Sequence, residues 1–148
     1  MDEIPDVTAT GADDRPVRLR DLPRPLVVYF YPKDDTPGCT REAQDFSALA
    51  DDFVAAGIHV LGISRDSVAR HAKFTAKHDL RVALASDLDG RVTEAFDVWG
   101  EKQMYGRSYM GVERATFLFD RDGRLAREWR KVKVPNHAAA VLDAARAL

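Results

Sequence analysis

The chain has 148 residues, 45% hydrophobic and 31% charged, with 22 basic against 24 acidic side chains and a formal net charge of -2. A chain of this length is the size of one domain and buries roughly two thirds of the surface its unfolded form exposes, so it needs no staples to fold. Its one cysteine, Cys39, excludes an internal disulfide and a multi-thiolate metal site, and the balanced charge lacks the basic excess of a nucleic-acid-binding surface.

Met1 is followed by Asp2, Glu3 and Pro5, without the basic and apolar regions of a secretory signal, and no apolar run approaches the ~18 residues of a membrane span. The expectation is a cytoplasmic protein with no membrane or nucleic-acid partner, in whose compartment a lone cysteine stays reduced. Residues 7–22 predict a small N-terminal hairpin. The run Leu-Val-Val-Tyr-Phe-Tyr at 26–31 is β-branched and aromatic throughout, the pattern of a strand buried on both faces, and Pro32 ends it. Turn residues follow at 34–38. Residues 42–56 then carry Phe46, Leu49, Phe53 and Val54 on one predicted helix face, with Gly57 at its end.

A second apolar strand is predicted over 59–64. Ser67 caps a helix through His78 on which Val68, Ala72 and Thr75 or Ala76 turn inward. A strand over 82–86, a short helix over 90–96 and a strand over 115–119 come next. Asp120 to Gly123 form a hairpin turn into a strand over 125–129, and Asn136 caps an Ala-rich helix to Leu148. Two βα units, a hairpin and a terminal helix predict one α/β domain over residues 1–148, a mixed sheet covered by helices on both faces. That order is the order of a thioredoxin-like fold.

Cys39 falls just after a turn and in the first turn of a helix. Unpaired N–H groups and the positive end of the helix dipole favour a thiolate there, against a pKa of ~8.5 for a free cysteine. A lone cytosolic cysteine is more commonly an inert core residue, but the neighbours shift the balance. Pro37 suits a first helical position, Gly38 admits close approach to the backbone, and Thr36 sets a hydroxyl three residues before the sulfur, as helix cap, as partner to a bound oxygen, or as both.

The stretch Pro32-Lys-Asp-Asp-Thr36-Pro-Gly-Cys39-Thr40-Arg-Glu42 resembles the active-site motif of peroxiredoxins, Pro-x-x-x-Thr-x-x-Cys, in the form of the bacterioferritin comigratory protein (peroxiredoxin Q) branch. A second block agrees, Val98-Trp-Gly-Glu-Lys-Gln-Met-Tyr-Gly106 followed by Gly111-Val-Glu-Arg114-Ala-Thr-Phe-Leu-Phe-Asp120, so the resemblance runs from Leu26 through Trp129. It implies a thiol-dependent peroxidase that reduces hydrogen peroxide and organic hydroperoxides without cofactor or metal, in antioxidant defence. Cys39 corresponds to the peroxidatic cysteine, Thr36 to the residue that orients the peroxide, and Arg114 to the arginine beside the thiolate. Pro32 corresponds to a shield over the sulfur, and backbone N–H groups at Gly38 and Cys39 to further donors. Glu42 either orients Arg114 or is an exposed first-turn carboxylate that suits the dipole.

One departure matters. Many members of this branch carry a resolving cysteine five residues after the peroxidatic one, and here that residue is Gln44. The resemblance then implies a one-cysteine cycle that needs an external thiol, from thioredoxin, glutaredoxin, glutathione or a second copy, in a monomer or weak homodimer. A peroxide sensor that passes its oxidation to one partner is the reading from another class; a disulfide oxidoreductase is the weakest, for want of a second thiol. Elsewhere, His71 and His78 are two helical turns apart and read as solvated surface, as do Arg65, Arg70, Lys73 and Lys77. Asp87-Leu-Asp-Gly90 reads as a capping turn, not a calcium loop. Phe96, Trp99, Met104, Tyr105 and Tyr109 read first as core and loop packing, second as a pocket wall or dimer surface.

Overall fold

The structure is a computed structural model that describes residues 1–148. Its frame is set by Leu26–Phe30 (β3), all five residues of which are buried. β3 pairs in parallel with His59–Ser64 (β4) and antiparallel with Ala115–Phe119 (β8). Around this trio Thr8–Thr10 (β1), Pro16–Arg18 (β2), Ala83–Ser86 (β5) and Leu125–Trp129 (β9) complete a seven-stranded mixed sheet in the order β2-β1-β5-β4-β3-β8-β9. The predicted thioredoxin-like arrangement and N-terminal hairpin are both present.

A strand buried on both faces divides the core by residue parity. Leu26, Val28 and Phe30 face one cluster with Ile63, Phe117 and Phe96, the last placed just after the short helix Arg91–Ala95 (α4). Val27, Tyr29 and Tyr31 face the other, with Cys39 and Phe46 from Pro37–Ala48 (α1), Phe74 from Val68–His78 (α3) and Val141 from His137–Arg146 (α5). The sulfur therefore sits inside the second core.

Four expectations are corrected. The helix expected over 42–56 begins earlier, at Pro37, and breaks at Leu49 (φ -97, ψ 7) before Ala50–Ala55 (α2). The break shifts the helical phase, so Phe53 turns inward while Val54 is 74% exposed. On α3 the buried positions are His71 and Phe74, and Ala72 and Ala76 are exposed, because the phenyl ring fills the gap under the helix and His71 finds polar partners below it. Asn136 precedes α5 in a left-handed conformation (φ 64), and its side chain makes no capping bond. The aromatic stretch after Phe96 is a separate two-stranded sheet, Trp99–Met104 (β6) against Arg107–Val112 (β7). It turns at Tyr105 (φ 52) and Gly106 (φ 76), the doubly left-handed pair of a tight hairpin, and leaves Met104, Tyr105, Tyr109 and Met110 exposed. The capping turn at Asp87 is as expected: its buried carboxylate accepts the N–H groups of Val92 and Thr93.

Gly62 is the tightest point in the sheet, since a Cβ there would stand 2.6 Å from the Tyr29 ring. Gly62→Ala is therefore expected to lower stability by about 2 kcal/mol in urea unfolding, against less than about 0.5 kcal/mol for the exposed Val54→Ala.

Candidate active site

The site forms where β3 ends and α1 begins. Pro37 opens α1 with a missing N–H that costs nothing at a helix start, and Cys39 follows in the first turn. The N–H groups of Gly38 and Cys39 have no backbone acceptor, as first-turn groups do not, and Thr40 is the first to bond back, to Thr36 O at 2.8 Å. Cys39 is 2% exposed, so these donors and the helix dipole act on a sulfur largely removed from water.

Opposite the sulfur stands Arg114, immediately before β8. Its Nη2 donates to Cys39 Sγ at 3.4 Å, while Nη1 donates to Glu42 Oε1 at 2.7 Å. Gly38 makes room for this: a Cβ there would lie 3.1 Å from Arg114 Nη2. Glu42, one turn after the cysteine, is buried, which decides between its two sequence readings in favour of the ion pair with Arg114. Burial pushes the Glu42 carboxyl up to about 7 against the pull of Arg114, and its Oε2 is buried with no hydrogen-bond partner. Burial also works against the Arg114 charge, but Glu42 and Cys39 more than offset it and hold the guanidinium above its usual range.

The loop before α1 carries the rest of the motif. Thr36 stands at the helix N-cap position, but its hydroxyl is turned back to donate to Lys33 O at 2.8 Å instead of capping α1. Pro32 is half-buried between β3 and that loop. His71 and His78, read as solvated, instead hold the loop to α3: His71 Nδ1 faces Asp34 Oδ2 at 2.6 Å and His78 Nε2 faces Asp35 Oδ1 at 2.8 Å. Sequence reasoning missed Asp34, Asp66 and His71 here. The available signal was spacing, since His71 and Phe74 stand three apart on one helix face. These three groups lie close enough to suggest a metal cluster, but their atoms are already paired within the protein: His71 with Asp34 Oδ2 and Ala85 O, and the Asp66 carboxylate with Ser64 Oγ, the Asp34 N–H and Arg70. Of the remaining charged residues, Arg65 is not merely solvated either, since its guanidinium stacks 3.4 Å above the Trp99 ring. His137 bonds Thr116 through Nε2 at 2.8 Å, and burial together with the Arg114 charge pulls its imidazole down to about 4. Gln44, five residues after Cys39, is exposed on α1 directly after the buried Glu42 and Ala43.

Residues 1–128 match the AhpC/TSA family. A peroxiredoxin Bcp of Bacillus subtilis is 46% identical over 142 residues, covering 95% of this chain and 90% of its own length. A structure of the Xanthomonas campestris bacterioferritin comigratory protein, studied for its alkyl peroxide reduction activity, superposes with a TM-score of 0.91 at 47% identity, over 96% of this chain and 90% of that one. A mutant peroxiredoxin Q of Xylella fastidiosa gives 0.91 at 40% identity over 99% and 94%.

The raised Glu42 carboxyl carries a pH signature. Between its unfolded value of 4.5 and about 7 the folded state binds the extra proton, so this group's contribution to stability is full below 4.5 and is lost as pH rises toward 7. Glu42→Gln is expected to become steadily more favourable relative to wild type as pH rises across that window in paired urea titrations; a difference independent of pH contradicts the assignment.

Proposed function

Because the chain belongs to the AhpC/TSA family of thiol-dependent peroxidases, with peroxiredoxins of the Bcp type as close relatives, we propose that its chemistry runs through Cys39 as nucleophile, with Thr36 and Arg114 as partners. The observation that carries this reading is the Arg114 guanidinium shared between the buried sulfur and the buried Glu42 carboxylate. A thiolate is the attacking form, and a fixed cation beside it favours the anion.

In the proposed first step the Cys39 thiolate attacks one peroxide oxygen. A sulfur–oxygen bond forms, the oxygen–oxygen bond breaks, and the leaving oxygen takes up from solvent a proton equivalent to the one the thiol gave up on ionising, departing as water or an alcohol. Arg114 and the free N–H groups at Gly38 and Cys39 stabilise charge on the separating oxygens, while Thr36 orients the substrate. Pro32 limits access to the sulfur. Glu42 fixes the guanidinium fork so that one nitrogen stays on the sulfur.

The product is a sulfenic acid that this chain has no second thiol to resolve. One external thiol condenses with it, releasing water and forming a mixed disulfide; a second displaces Cys39 and leaves as the external disulfide. Glutathione, a glutaredoxin, thioredoxin or Cys39 of another copy meets this requirement, and a cytoplasmic pool of reduced thiols suits it. A monomer or weak homodimer suits a site assembled within one chain.

Two measurements check this reading. Cys39→Ser is expected to abolish peroxide consumption in stopped flow, and consumption equal to wild type contradicts it. Arg114→Ala is expected to slow peroxide attack by at least about a hundredfold, the range found when one preorganised donor to developing charge is removed; a rate within twofold of wild type removes Arg114 from the mechanism.

A further inference from the structure

The peptide unit that joins Lys33 to Asp34 is held at both of its polar ends. Its carbonyl accepts the Thr36 hydroxyl at 2.8 Å, and its N–H donates to Asp66 Oδ2 at 2.8 Å. A peptide is planar, so fixing the N–H direction fixes the carbonyl direction too. Asp66 comes from the turn between β4 and α3, and only 8% of its side chain is exposed. The carboxylate is itself clamped: Oδ2 also accepts Ser64 Oγ at 2.7 Å, and Oδ1 lies 3.1 Å from Arg70 Nε. It is not needed as a helix cap, because Ser67 fills that role for α3 by accepting the Arg70 N–H.

The flanking residue is locked as well. Asp34 Oδ1 accepts the Tyr31 hydroxyl at 2.6 Å, Oδ2 faces His71 Nδ1 at 2.6 Å, and His71 Nε2 donates to the Ala85 carbonyl at 3.1 Å. The loop before α1 is thereby seated on α3 and β5 on the side away from Arg114.

This matters for Thr36. Its single hydroxyl proton is committed to the Lys33 carbonyl, so toward substrate the oxygen offers only lone pairs. It is then an acceptor for a peroxide O–H, and the direction of its lone pairs follows from the direction of its bond to Lys33 O. We propose that Asp66 is a positioning residue for peroxide: through the 33–34 peptide it sets the orientation in which Thr36 accepts the substrate. Asp66 does not touch the peroxide. It acts on one arm of the site, while Glu42 acts on the other through Arg114. The proposal rests on Thr36 as the residue that orients the peroxide.

The test uses Asp66→Ala and Asp66→Asn, each alone and combined with Thr36→Val, read as the rate of peroxide attack and as the thiolate absorbance titration of Cys39. Asp66→Ala is expected to slow attack about tenfold to a hundredfold, the cost of a misplacement of about 1 Å at a reacting centre, without moving the titration. Asp66→Asn keeps an oxygen acceptor for the Asp34 N–H and is expected to recover most of the rate. In the Thr36→Val background Asp66→Ala is expected to change the rate less than about twofold, because residues acting through one group are not additive. An equal cost in both backgrounds, or a shifted titration, overturns the proposal while leaving the role of Thr36 intact. A Thr36→Val rate equal to wild type removes the role of Thr36 and the proposal with it. If Asp66→Ala does not fold, Ser64→Ala removes the hydroxyl that clamps the carboxylate and accepts the Asp66 N–H, leaves the carboxylate in place, and carries the same test at smaller amplitude.

Discussion

A guanidinium held between a buried sulfur and a buried carboxylate is the contact from which the rest of the site takes its geometry. Arg114 lies 75 residues from Cys39 and 72 from Glu42 in the chain, and one feature of the sheet brings them together. In the antiparallel pairing of β3 with β8, Phe30 stands opposite Ala115. The end of β3 therefore meets the start of β8. The chain leaves β3 into the 31–36 loop and α1, and Arg114 is the residue just before Ala115, so helix start and guanidinium arrive at the same place. A one-residue slip in that register would turn Arg114 to the other face of the sheet.

The electrostatics follow from burial. A carboxylate with 1% of its side chain exposed is costly to ionise unless a cation repays the lost hydration. Arg114 repays part of that cost, and its charge adds to the burial that depresses His137. Charge at the site is thus concentrated on one guanidinium, with acceptors on the α1 side and a neutral imidazole on the α5 side. The Thr36 arm is organised differently. It is held by Asp34, Asp66 and His71, anchored on α3 and β5, and shares none of these groups with the Arg114 arm. The two arms converge only at the start of α1.

The strands and the cysteine site were legible because their signals are local. An unbroken β-branched and aromatic run marked β3, and Pro37, Gly38 and Cys39 carried the marks of a helix start shaped for close approach. Glu42 was legible as a residue and ambiguous as a role, since nothing in sequence says whether a first-turn glutamate faces water or a distant arginine. What escaped was tertiary in origin. The break at Leu49 leaves no proline or glycine behind it and turns Val54 out to solvent. His71 reads as surface until Asp34 and the Ala85 carbonyl are brought under it, and the β6–β7 hairpin carries Met104, Tyr105, Tyr109 and Met110 outward, where composition argued for the core.

The central claim is that Cys39 alone accepts the oxygen and that another molecule must remove it. Mass spectrometry of the intact protein and of its peptides after one equivalent of peroxide, with thiols absent and then added, reads this directly. The account predicts a gain of one oxygen atom on a peptide containing Cys39, then a thiol adduct and return to the starting mass when reductant is supplied. An unchanged mass after peroxide, or oxygen found only on methionine, would contradict it.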